Sequence, residues 1–449
     1  MSTLILRSTR VVTPAGVRPA AIEVRHGRIA AVHAHDALPA GLAVHEAHDA
    51  VIAPGLVDSH VHVNEPGRSE WEGFATATAA AAAGGVTTIA DMPLNSIPAT
   101  VSRRALGSKR AAAQGQCAVD VAFLGGVVPG PALEWQGLHD SGVVGFKCFM
   151  VPSGVDEFPP VSEADLERAL PALARLHSTL MVHAEWPGLL LDPPLSARRF
   201  EDWAASRPAA AEERAIEVVA ALAERHGAAV HIVHISSAEG CRAVAAAQAR
   251  GVRMTAETCP HYLTFTANEV PEGATVFKCA PPLRTAADRD ALWAALAHGT
   301  LSQVVSDHSP CPPALKALES GDFALAWGGI ASLQHGLAVV WTAARARGVP
   351  FERVLHWMSS APAALLGLGA RKGAIAPGRD ADFVVWTPES TFTVDAAALL
   401  QRHALTPYLG RTLSGVVHAT YLAGTRIYTP GTGVTSRLGR LLYREVAFA

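Results

Sequence analysis

The sequence has no CxxC pair. Its six cysteines, Cys117, Cys148, Cys241, Cys259, Cys279 and Cys311, are far apart, and reduced, mostly buried thiols are expected. It has no run of charge of one sign. The formal net charge is −3 with both signs mixed along the chain, so the basic patch that nucleic acid or an anionic membrane surface would need is absent. No apolar run approaches the roughly 20 residues of a membrane span. The start, Met1 to Ile5, lacks a basic leader followed by a long apolar stretch, so no signal peptide is expected and the location reads as cytoplasmic. The small-residue run at 75–85 reads as a tightly packed helix. Low-complexity segments and repeats of fixed period are also absent.

What is present is a large apolar fraction, 49% of 449 residues, enough for a sizeable core, and a patterned set of histidines. The first fifty residues carry short β-type runs at Leu4-Ile5-Leu6, Val11-Val12, Ala21-Ile22-Glu23-Val24 and Ile29-Ala30-Ala31-Val32, punctuated by Gly16 and His26-Gly27. The same texture returns after Gly378 and again over 416–428. Between these ends, apolar strands alternate with Ala-, Glu- and Arg-rich helical stretches. Strands are predicted at 56–63, 87–92, 119–125, 145–150, 180–185, 229–236, 254–259 and 303–307, with helices such as 163–176, 210–226 and 238–250. Eight strands alternating with helices predict an α/β fold, a (β/α)8 TIM-like barrel, with a small β-sandwich domain built from both chain ends. The expected division is 55–365 for the barrel, and 1–54 with 366–449 for the small domain.

The chemistry starts at Asp58-Ser59-His60-Val61-His62. Residues two apart on a strand share a face, so His60 and His62 converge inside the barrel mouth as half of a metal site. Two core histidines would read the same way if they stood alone. They do not: His183, His234 and Asp307 fall at the ends of the fifth, sixth and eighth predicted strands, where catalytic groups of such barrels sit. Lys147 ends the fourth. Its neighbours Phe146, Phe149 and Met150 argue for burial, and a buried lysine loses its charge readily. Carbon dioxide could convert such an amine to an anionic carbamate, although the residues alone do not require it. Glu185 reads as support for His183, and His231, His261 and His308 as rim or structural residues.

Pro54-Gly55-Leu56-Val57-Asp58-Ser59-His60-Val61-His62, Lys147, Ser306-Asp307-His308 and Pro377-Gly378-Arg379-Asp380-Ala381-Asp382 closely resemble the cyclic amidohydrolases, the family of dihydroorotase, hydantoinase, dihydropyrimidinase and allantoinase. The resemblance spans nearly the whole chain. It implies two divalent metal ions, zinc or else cobalt or manganese, bridged by carboxylated Lys147. One metal would take His60, His62, Lys147 and Asp307, and the other Lys147, His183 and His234. It also implies a metal-bridged hydroxide attacking a ring amide, with Asp307 as general base and then general acid, and a homotetramer.

For the ring, Asn64 stands where dihydroorotase-like members place an arginine suited to a substrate carboxylate, so a substrate without one is expected. Asn64-Glu65-Pro66-Gly67-Arg68, Trp71-Glu72-Gly73, Asp91-Met92-Pro93-Leu94-Asn95, Pro152-Ser153-Gly154 and Ala326-Trp327-Gly328-Gly329-Ile330 resemble the allantoin-opening branch, which makes allantoin the expected small-molecule substrate. Asn64, Asn95 and Ser309, with the backbone at Ala280 and Gly328, are the expected substrate contacts. The lysine-bearing loop lacks the tyrosine of hydantoinases and dihydropyrimidinases, the competing enzymatic reading. A non-catalytic scaffold on the same fold is the other alternative, and the filled ligand set counts against it.

Overall fold

The computed structural model describes residues 3–39, 41–130, 133–194 and 196–444. Its centre is a closed parallel barrel whose strands follow chain order. Leu56–Val61 pairs with Val86–Asp91, and that strand with Asp120–Phe123. The chain steps through Leu124 to Gly125–Gly126, which pairs with Phe146–Phe149. Leu180–His183, Val230–Ile232, Met254–Thr258 and Gln303–Val304 continue the round. Closure comes from a parallel bridge between Val61 and His308, with the His62 N–H donating to His308 O at 2.9 Å. Nearly every barrel-strand residue is buried, as expected when helices cover a parallel barrel and side chains fill it.

The helices follow the expected periodicity at Glu163–Arg175, Ala209–His226 and Ala238–Ala249. The alanine-rich run forms Phe74–Ala83, and its small side chains admit close neighbours: the Thr420 hydroxyl donates to Ala82 O at 2.6 Å. At its end, a Cβ on Gly84 would sit 2.7 Å from Leu333 O, so only glycine fits.

The predicted sixth and eighth strands, 229–236 and 303–307, are longer than the observed ones, Val230–Ile232 and Gln303–Val304. The backbone leaves the ladder because His234 and Asp307 take left-handed conformations, φ +42° and +44°. An exit of this kind costs strain and turns the side chain away from the strand alternation.

A nine-stranded sheet draws on both chain ends, from Leu4–Thr13 through Val51–Pro54 and from Phe383–Thr393 to Gly433–Val434. The two halves join where Val51–Pro54 runs antiparallel to Phe383–Thr393, Phe383 opposite Pro54 and Trp386 opposite Val51. Ile22, Ile52, Phe383 and Tyr421 form its core. One residue, Gly55, separates Pro54 from the first barrel strand, so the small sheet anchors the strand that carries the HxH pair. Among the described residues no helix is long and apolar enough to cross a membrane. All six cysteines are unpaired and buried.

Candidate metal centre

At the carboxyl-terminal mouth of the barrel the predicted ligands meet. Asp307 Oδ1 lies 3.1 Å from His60 Nε2 and 3.5 Å from His62 Nε2. His183 Nδ1 and His234 Nε2 are 3.0 Å apart. The two groups adjoin, with the His60 and His234 rings 5.4 Å apart between centroids. Lys147 is fully buried beside them, its Nζ 4.8 Å from the Phe149 ring centroid, and Phe149 stacks on His183.

The electrostatics suit a cation. Burial pushes His62 down to about 4, against the pull of Asp307, and also lowers His183 and His234. These rings are therefore neutral, the form that binds metal. Burial also works against charge on His60, yet Asp307 and Glu257 together raise it to about 9. Asp307 is held well below the usual carboxylate range: burial opposes ionisation, but His60 and His62 outweigh it. Lys147 falls to about 8 through burial, partly offset by Glu257 and Asp307.

Among the predicted ligands, three polar atoms are buried with no hydrogen-bond partner among the described residues: His62 Nδ1, His234 Nδ1 and Lys147 Nζ. An ammonium so placed, with no hydrogen-bond partner among the described residues, is expensive, and an anionic carbamate beside bound cations would relieve it. The donors themselves, four imidazoles and a carboxylate, match the ligand preference of zinc and its neighbours in the first transition row. The residues present fit a divalent-metal centre.

Supporting residues fix which nitrogen each ring offers. Glu257 Oε1 accepts from His60 Nδ1 at 2.6 Å, while Glu257 Oε2 accepts from His231 Nε2 and Gln303 Nε2, each at 2.9 Å. Glu185 Oε2 accepts from His183 Nε2 at 2.6 Å, and Arg207 Nε donates to Glu185 Oε1 at 3.0 Å. His60 thus presents Nε2 to the site and His183 presents Nδ1. Glu185 is where the sequence put it. Glu257 and Arg207 were missed, and the one available signal was a carboxylate inside a barrel strand, Met254–Thr258. His231 braces Glu257, and His308 Nε2 lies 3.3 Å from Glu72 Oε2. His261 falls near Asp307 with both ring nitrogens unpartnered among the described residues.

A cavity of about 380 Å³ opens over this cluster. Asn95, Ser309, Ala280 and Gly328 line it, as do Pro152, Ser153 and Gly154 of the loop after Lys147. Asn95 takes φ +69°, and its Oδ1 has no partner among the described residues. Asn64 stands apart from these. It is fully buried, takes φ +61°, donates from Nδ2 to Pro310 O at 3.4 Å and does not line the cavity. Its Oδ1 has no partner among the described residues.

Residues 51–427 match the amidohydrolase family. The chain is 53% identical over 444 residues to the allantoinase of Streptomyces avermitilis, covering 98% of this chain and 99% of that one. It is 42% identical to the allantoinase of Arabidopsis thaliana, with 97% and 90% covered. Among solved structures, L-hydantoinase (dihydropyrimidinase) from Arthrobacter aurescens superposes with a TM-score of 0.92 at 29% identity, covering 99% of this chain and 100% of that one. Dihydropyrimidinase from Brevibacillus agri gives 0.89 at 25% identity, with 100% and 99% covered. The family and these neighbours imply a divalent-metal centre. A family match over most of the chain and relatives aligned along nearly its full length agree with the barrel and its histidine-rich mouth, and the chain belongs to the amidohydrolase family.

Proposed function

We propose that the chain is an allantoinase that opens the ring of allantoin by hydrolysis to give allantoate, a step of purine (ureide) breakdown. The carrying observation is the convergence of His60, His62, Lys147, His183, His234 and Asp307 beneath a cavity in a chain whose relatives at 40–53% identity include allantoinases from bacteria and plants.

In this reading one divalent ion would be held by His60, His62, Asp307 and Lys147, and the other by His183, His234 and Lys147. Lys147 would serve both ions as a carbamate: its neutral amine would add to carbon dioxide, forming a nitrogen–carbon bond and giving up a proton. Zinc is the preferred metal, with cobalt or manganese as substitutes. When bound, the pair supplies Lewis acidity and water of lowered pKa. The chain's own residues do the rest. Asp307, ionised in the folded protein, takes a proton from the attacking water. Oxygen bonds to the ring carbonyl carbon, the ring carbon–nitrogen bond breaks, and Asp307 returns the proton to the leaving nitrogen. Asn95, Ser309 and the backbone at Ala280 and Gly328 receive the ring and the ureido arm. A homotetramer in the cytoplasm is the proposed assembly and location.

The solved neighbours named hydantoinase make hydantoin the competing ring. Steady-state rates on allantoin, hydantoin and dihydroorotate decide between them. The proposal expects kcat/KM on allantoin to exceed the others by about a hundredfold or more, the discrimination available when a site hydrogen-bonds a group its competitors lack. Equal or greater efficiency on hydantoin contradicts it.

A further inference from the structure

The roof of the cavity runs from Leu325 to Gly329 and is held by two lysines, neither within ion-pair distance of a carboxylate among the described residues. Lys278 Nζ donates to Ala326 O at 2.6 Å, and its ammonium lies 5.1 Å from the Trp203 ring centroid. Lys316 Nζ donates to Trp327 O at 3.0 Å and also to Gly329 O. Lys316 is 4% exposed. A buried ammonium satisfied only by carbonyls is costly, and an apolar side chain of similar length would pack there at lower cost. Simple filling of space does not explain it.

Its partner does. Trp327 O belongs to the same peptide unit as the Gly328 N–H. The neighbouring N–H groups are used within the fold, Trp327 to Leu315 O at 2.7 Å and Gly329 to Lys278 O at 2.8 Å. The Gly328 N–H donates to no described residue. Gly328 lines the cavity and has open space around it, the nearest atom to a Cβ there being Ala280 N at 4.0 Å. The turn is fixed on its other side as well. Gly329 has φ +155°, and a Cβ there would fall 2.4 Å from Ser309 O, so no larger residue could hold this geometry.

We propose that Lys316 is a positioning residue for ring recognition: by donating to Trp327 O it fixes and polarises the Trp327–Gly328 peptide, and so presents the Gly328 N–H to a carbonyl oxygen of the cyclic-amide substrate. A charged donor on a carbonyl strengthens the N–H of the same unit as a donor, the cooperative effect seen in hydrogen-bond chains. Lys316 does not touch substrate. It does not line the cavity and acts through the backbone. The inference rests on the cyclic-amidase reading above and adds to it a residue outside the metal centre.

The test uses Lys316→Met and Lys316→Gln in metal-loaded protein, with kcat and KM measured separately on allantoin and hydantoin and metal content measured alongside. Loss of one good hydrogen bond predicts a KM about tenfold higher for Lys316→Met, with kcat within about threefold and metal content unchanged. Lys316→Gln, which keeps a neutral donor, falls between it and the wild type. An unchanged KM, or a fall in kcat that tracks metal loss, overturns the proposal. Should Lys316→Met not fold, Lys316→Gln decides alone by the same criterion: raised KM with kcat kept supports the proposal, and unchanged KM overturns it. A wild type that opens hydantoin but not allantoin refutes the substrate reading only, and the Lys316 comparison is then read on hydantoin.

Discussion

Glu257 Oε1 accepts a hydrogen bond from His60 Nδ1 at 2.6 Å across the barrel interior, which leaves His60 Nε2 turned toward Asp307. The brace fixes the tautomer and raises the basicity of Nε2, the nitrogen proposed to bind metal. Replacing Glu257 with Gln removes that negative charge while keeping an oxygen in place. Metal affinity is expected to fall by about 10- to 100-fold, read as metal retained after dialysis against a weak chelator. Retention equal to the wild type would show that His60 is oriented without it.

Asp307 is expected to combine metal binding with proton transfer. Asp307→Asn keeps the shape and removes the base, so kcat should drop by about a thousandfold or more, a general-base contribution of roughly 10²- to 10⁴-fold compounded by weaker metal binding. The informative comparison is metal content in the same samples. A loss of kcat larger than the loss of metal supports the proton-transfer role, and a loss that merely follows metal content contradicts it.

Far from the mouth, Lys372 Nζ lies 2.6 Å from Asp120 Oδ2, 2.5 Å from Asp382 Oδ2 and 3.2 Å from Asp380 Oδ2. This knot ties the third barrel strand to the segment that enters the small sheet. Lys372→Met strands three buried carboxylates with only partial compensation from Arg440 and Arg371. A destabilisation of about 3–5 kcal/mol is expected, measured as a lowered urea midpoint, with KM for substrate unchanged in protein that is still folded.

Glu212 is buried beneath the sixth strand's exit, where its carboxylate accepts from the Ser236 N–H at 3.0 Å and from the Ser237 hydroxyl. Burial is the main cause of its rise from 4.5 to about 7, against the pull of Arg284. Because the folded value lies above the unfolded one, its contribution to stability is complete below about pH 4.5 and is lost as pH rises through about 7. Between pH 5 and 8, Glu212→Gln should therefore gain on the wild type by up to about 2–3 kcal/mol. Urea midpoints across that range check it, and parallel profiles for the two proteins would falsify it.

The sequence made the barrel legible because strand and helix periods alternate cleanly, and it made the HxH pair legible because a strand sends alternate residues to one face. The join of the two chain ends at Val51–Pro54 and Phe383–Thr393 was legible only as similar texture at both ends. Other features were hidden for physical reasons. His234 and Asp307 leave their strands in left-handed conformations that neither residue type announces, so both strands were expected to run longer. Asn64 was expected against the substrate, and its left-handed conformation just beyond the strand, with Nδ2 on Pro310 O, is not announced by the local pattern. Glu257 meets His60 across 197 positions of sequence, and no local pattern encodes that contact. Lys316 carries no local signal, and its burial comes only from the fold closing over it.

The most direct measurement follows conversion of allantoin to allantoate by purified protein of known metal content, before chelation, after chelation and after metal is restored. The account predicts turnover with about two divalent ions per chain, its loss on chelation and its return with added zinc. Full metal occupancy without turnover of allantoin, or turnover that survives complete removal of metal, would contradict it.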